Sequence, residues 1–173
     1  VRVDSADSQG NEIITNISGT NFPAAAAVSC VEVGRNEDEL AVTFSNYGVN
    51  SVYYTNDGGQ TWENKEGDLP DMPVRWALFN PRDYNNVLLA TELGVWETRN
   101  FMDSIPNWVP SNNGMPNVRV DMLQLRQSDY TIMASTHGRG MFTAQFKGGI
   151  GLEENQIVSN ARDFRIFPNP IKN

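Results

Sequence analysis

Short apolar runs separated by polar or Gly-bearing turns recur along this chain, and their lengths are those of β-strands. Three successive groups stand out. The first strand of each group is expected at 28–33, 74–79 and 118–125. The second follows at 40–45, 87–91 and 131–136, and the third at 51–55, 95–98 and 141–146. Second and third strands are joined by Asn46-Tyr47-Gly48, Glu92-Leu93-Gly94 and His137-Gly138-Arg139-Gly140. Upstream, 1–4 and 12–18 read as two further strands around Ser5-Ala6-Asp7-Ser8-Gln9-Gly10. The unit repeats about every 45 residues, the length that four short strands and their turns occupy.

Tryptophans mark the same period. Trp62 precedes Gly67-Asp68-Leu69-Pro70, and Trp108 precedes Asn113-Gly114-Met115-Pro116. The segment Thr55-Asn56-Asp57-Gly58-Gly59-Gln60-Thr61-Trp62 carries what a tight hairpin turn needs. Asp57 is placed to accept turn amides, Thr55 adds a hydroxyl, Gly58 or Gly59 can take positive φ, and Trp62 supplies an indole for the space between sheets. A calcium loop is the competing reading of this acidic turn, but the alternating oxygen ligands and the closing Glu are missing.

This segment resembles the Asp box, Ser/Thr-x-Asp-x-Gly-x-x-x-Trp, which recurs once per blade in a group of β-propellers that includes sialidases, xyloglucan-degrading endoglucanases and sortilin-like receptors. Thr98-Arg99-Asn100 followed at a distance by Trp108 reads as a degraded copy, and the Ser5 to Gly10 segment as a weaker one. The resemblance implies an all-β fold: a partial propeller over 1–147, with the last two strands of one four-stranded blade, two complete blades and three strands of another. It also implies that Thr55, Asp57, Gly59 and Trp62 are structural and lie away from any active site. The remaining blades of a longer parent chain are then the first expected partner.

A connector is expected over 148–162, and residues 163–173 open a separate strand. Asp163-Phe164-Arg165-Ile166-Phe167-Pro168-Asn169-Pro170 resembles the opening of the type A C-terminal sorting domain of Bacteroidota, with Pro168, Asn169 and Pro170 as its turn. That likeness implies a secreted or outer-membrane surface protein carried by the type IX secretion translocon.

Charge narrows the partners further. A net charge of −8 argues against nucleic acid, and no apolar run is long enough to insert in a membrane. Cys30 is the single cysteine, so no internal disulfide forms, and its place in a strand predicts a buried small hydrophobe. No cofactor or metal site is expected.

The ligand-binding face expected from propeller geometry is formed by the turns between second and third strands: Asn46, Tyr47, Glu92, His137 and Arg139. Glu92 is the one catalytic candidate, because glycoside hydrolysis needs a pair of carboxylates across a sugar cleft. Glu37-Asp38-Glu39 reads as a solvated charged turn, Asp83 as part of a turn with Pro81 and Arg82, and Arg75 and Arg119 as equivalent, structural positions of the repeat. Trp76 and Trp96 are expected to pack between sheets. The functional expectation is a non-catalytic binding or adhesion scaffold for a glycan or a surface protein. The alternative is the C-terminal part of a polysaccharide-degrading glycoside hydrolase.

Overall fold

The computed structural model describes residues 1–7 and 10–146, so Pro168, Asn169, Pro170 and the connector before them lie outside the described residues. The described chain is all-β, folded into four small antiparallel sheets, none of them closed. Sheet I pairs β1 (Arg2–Asp4) with β2 (Ile13–Thr15). Sheet II is the meander β3 (Val28–Val33), β4 (Leu40–Phe44), β5 (Val52–Thr55) and β6 (Glu63–Asn64). Sheet III repeats it with β7 (Val74–Asn80), β8 (Asp83–Thr91), β9 (Gly94–Thr98) and β10 (Val109–Pro110). Sheet IV holds β11 (Val120–Arg126), β12 (Thr131–Thr136) and β13 (Met141–Gln145).

The sheets stack side by side through their first strands. β7 lies against β3 on one side and β11 on the other. Sheets II and III bury Ala41, Val52, Tyr54, Val74, Ala77, Phe79, Val87 and Leu89 between them. Sheets III and IV bury Leu78, Leu88, Val95, Val120, Leu123 and Ile132. Being covered on both faces, β4 and the second half of β8 are apolar at almost every position, and this is why Leu40–Phe44 and Val87–Thr91 show no alternation. The far face of sheet II is covered only in part: Phe22 packs edge-on against Phe44, Tyr53 and Trp62, with ring centroids 5.0–5.2 Å apart.

The repeat extends to its irregularities. Each first strand carries a bulge one residue from its start, between Val28 and Cys30, between Val74 and Trp76, and between Val120 and Met122. Pairings on either side agree across the sheets, with Val28 opposite Phe44, Val74 opposite Thr91 and Val120 opposite Thr136. The equivalent bulged residues are therefore Ser29, Arg75 and Asp121. This corrects the sequence-based equivalence of Arg75 with Arg119: Arg119 corresponds to Pro73 and Ala27, whose carbonyls all accept the same bond. His137 N–H donates to Arg119 O at 2.9 Å, Glu92 N–H to Pro73 O at 3.1 Å and Ser45 N–H to Ala27 O at 3.0 Å.

Two further expectations change. Asp83 opens β8 instead of sitting in the turn, because the hairpin closes tightly over Pro81-Arg82 and pairs Asn80 with Asp83. Glu39 is not solvated but buried, where it accepts from Tyr54 Oη at 2.6 Å and from the Arg35 N–H at 2.8 Å. Glu37 and Asp38 of the same turn do face water and hold Arg2 at 3.3 and 2.9 Å.

Candidate functional site

The turn at Thr55–Trp62 is closed by its own side chains. The Asp57 carboxylate accepts Thr61 N–H at 2.9 and 3.0 Å and Thr61 Oγ1–H at 2.6 Å, while Thr55 Oγ1 donates to it at 2.7 Å. These donors hold the Asp57 carboxyl well below the usual carboxylate range. Gly58 and Gly59 both have positive φ, and a Cβ on Gly59 would fall 2.6 Å from the Cβ of Ile17. Trp62 Nε1–H donates to Ile17 O at 2.8 Å, so the indole anchors the segment ahead of sheet II. The donors to the Asp57 carboxylate thus all come from within the turn.

Sheet III builds the same device with an amide. Asn100 Oδ1 takes the Thr98 hydroxyl at 2.9 Å and the Asn107 N–H at 2.9 Å, the positions held by Asp57 in the other turn. The extra residues tuck Phe101 into the core as a fully buried ring, and Trp108 Nε1–H reaches Lys65 O at 3.2 Å.

The second candidate surface is at the opposite end of the strands, where the bulges lie. A bulge re-aims the side chain that it carries. Ser29 Oγ–H donates to Val74 O at 2.6 Å, across the gap to sheet III. Arg75 likewise reaches towards sheet IV, with Nη2 2.7 Å from Glu92 Oε2 and Nε 3.9 Å from Asp121 Oδ1. Asp121 in turn binds Arg119 Nε at 2.7 Å, and its other oxygen lies 3.8 Å from His137 Nδ1. One connected group of charges thus spans two sheets. Its members are neither buried nor fully solvated: the side chains of Arg75, Glu92, Arg119 and Asp121 are 24–38% exposed.

Of the five sequence-predicted face residues, Glu92 and His137 belong to this group. Asn46 and Tyr47 occupy the matching turn of sheet II, where Asn46 Oδ1 accepts Ala27 N–H at 2.7 Å and Tyr47 is 63% exposed. Arg139 is exposed and makes no ion pair among the described residues. Asp121, the residue that joins Arg75, Arg119 and His137, was missed by sequence reasoning. The signal lies in the repeat alone: aligning Val28, Val74 and Val120 puts Ser29, Arg75 and Asp121 at one position, although polar residues elsewhere in β3 and β11 mask it locally.

Chemically, the group offers two guanidiniums, two carboxylates and an imidazole at the rim of two sheets. This is a surface for hydrogen-bonding polar ligands from several directions. A glycosidase acid must hold its proton in an apolar pocket, whereas Glu92 and Asp121 are both engaged by arginine. Among the described residues no group of three or more His, Cys, Asp or Glu could hold a metal ion. No helix of the described residues is long and apolar enough to cross a membrane. Cys30 is buried beside sheet III, which pushes its thiol up to about 11.

No protein-family model matches the chain, and no curated protein matches it either.

Proposed function

We propose that this chain is the C-terminal part of an Asp-box β-propeller, from a secreted or cell-surface protein, and that it acts as a non-catalytic binding scaffold. The observation that carries the reading is the charged group on Arg75, Glu92, Arg119, Asp121 and His137, displayed on a repeated framework at the end opposite the closed Asp57 turn. Repetition of the bulges, of the backbone bonds and of the tryptophan-anchored turns supports blades as the unit. The exposed side chains of Val28, Val31 and Val33 form an apolar strip on β3 that the first strands of a preceding blade would cover. Export through the type IX translocon rests on the resemblance of Asp163 to Pro170 alone.

Under this reading the ligand is a glycan or a surface protein that meets the charged group with hydroxyl, amide or carboxylate groups. Glycan-array binding by the full chain, compared with Asp121→Asn, tests it. Loss of the bound set on substitution, with unchanged melting, supports the assignment; an unchanged set removes this surface from binding.

A further inference from the structure

A second concavity lies at the other end of the first strands, away from the charged group. It is a groove of about 290 Å³ where β3, β7 and β11 come together, and its walls include Trp76, Leu78, Tyr84, Gln124 and Gln127. Glu32 opens into it. Register makes Glu32 unusual. It pairs with Ala41 on the neighbouring strand as Leu78 pairs with Leu88 in the next sheet, so the two occupy the same place in the repeat. Leu78 fills that place as packing demands, buried at 5% exposure between sheets III and IV. Sheet II puts a carboxylate there instead.

That carboxylate has no hydrogen-bond or ion-pair partner among the described residues. The arginines beside the lining residues are engaged elsewhere. Arg35 pairs with Glu39 and lies over the Tyr84 ring, 5.0 Å from its centroid. Arg126 pairs with Asp129, and Arg82 stacks on Tyr130 at 3.7 Å. Burial without compensation raises the Glu32 carboxyl to about 7. Sheet IV holds Gln124 at the same register place, opposite Met133, so polar groups are admitted there, but a half-buried charge without a partner destabilises the molecule unless something else satisfies it.

We propose that this groove binds an organic ammonium group, with Glu32 as its counter-ion and the walls around Trp76 and Gln124 taking the attached carbon chain. The geometry suits such a ligand: one uncompensated carboxylate, aromatic and aliphatic walls, and amides to take the remaining ammonium hydrogens. The net charge of −8 further favours a cation over an anion. Two sources share this chemistry, a free amine and the lysine side chain of a partner peptide. The inference does not depend on the charged group at the other end or on its ligand.

The test uses the full chain with glutamate side-chain carboxyls labelled by carbon-13. Butylamine and N-acetyl-lysine methylamide are titrated separately while the Glu32 carboxyl resonance is followed by NMR. Saturable shifts with both probes support the proposal, and at least tenfold tighter binding of the lysine derivative points to a peptide source. Butylamine binding as tightly or more tightly points to a free amine. The Nε-acetylated lysine derivative, which is uncharged, should not bind, and Glu32→Gln, which lacks that resonance and is compared with the native chain through the indole N–H of the lining Trp76, should not saturate. No saturable shift with either probe, or equal binding by Glu32→Gln, overturns the proposal. Glu32→Leu gives an independent reading: it should fold and melt at a higher temperature than the native chain, as the leucine at the equivalent position implies. A lower melting temperature would mean that Glu32 has a structural partner, and the groove would lose its claim to a ligand.

Discussion

Replacing Trp62 isolates what the tryptophan-anchored turn contributes. The indole is 8% exposed, packs edge-on against Phe22 at 5.0 Å, and donates to Ile17 O at 2.8 Å. Truncating a buried tryptophan to alanine removes most of a large apolar area and leaves a cavity, at a cost of about 3–5 kcal/mol. Trp62→Phe keeps one ring against Phe22 but loses the N–H. It strands the Ile17 carbonyl, which costs about 1 kcal/mol, and gives up about 40 Å² of apolar area, about another 1 kcal/mol at ~25 cal/mol per Å². The expected order is therefore Trp62→Ala at about 4 kcal/mol and Trp62→Phe at about 2 kcal/mol. Urea unfolding followed by far-UV circular dichroism measures both without relying on the tryptophan signal. A Trp62→Ala cost under about 1 kcal/mol would refute the view that this residue anchors the segment before sheet II. Equal costs for the two variants would refute the split between packing and hydrogen bonding.

Three other outcomes follow from the same geometry. Asp57→Asn should lower the melting temperature while leaving ligand binding unchanged; because the folded carboxyl lies below its unfolded value, its contribution is present above about pH 4 and disappears as pH falls below that. A loss of binding with unchanged melting would contradict the structural role of Asp57. Glu66 behaves oppositely: burial lifts its carboxyl to about 7 although Ser51 N–H donates to it at 2.6 Å, so its stabilisation is complete below about pH 4.5 and declines as pH rises towards 7. Melting temperatures across that window should fall for the native chain and fall less steeply for Glu66→Gln, with the remaining slope coming from Glu32, whose buried carboxyl is also raised to about 7. Finally, Arg75→Met should weaken binding of any array ligand by about tenfold, roughly 1.4 kcal/mol, because it unpairs Glu92 and leaves Asp121 with Arg119 as its one arginine partner.

How far the sequence reaches can be judged from particular residues. The outer limits of β3 and β12 are visible in the chain because β-branched and apolar residues fill them and turn residues flank them. The early start of β8 is not, since Asp83, Asn85 and Asn86 have weak strand preference and are held by partners outside β8 instead: Asp83 pairs with Asn80, Asn85 accepts from the Phe101 and Met102 N–H groups, and Asn86 donates to Glu97. Bulges leave no local mark, so Arg75 was matched with Arg119 by residue type when register matches it with Asp121. Glu39 shows the same limit: nothing near it announces that Tyr54, fifteen positions on in sequence, will supply a buried hydroxyl. The replacement of aspartate by asparagine in the second turn was legible in outline. That Asn107 would complete it across a longer loop depends on Phe101 finding the core.

Release of reducing ends across a panel of polysaccharides, measured together with binding to them and with Glu92→Gln alongside, tests the proposed role most directly. The scaffold reading predicts binding with no turnover by either form. Turnover by the native protein that Glu92→Gln abolishes would contradict it, and would place a catalytic carboxylate within the group that Arg75 holds together.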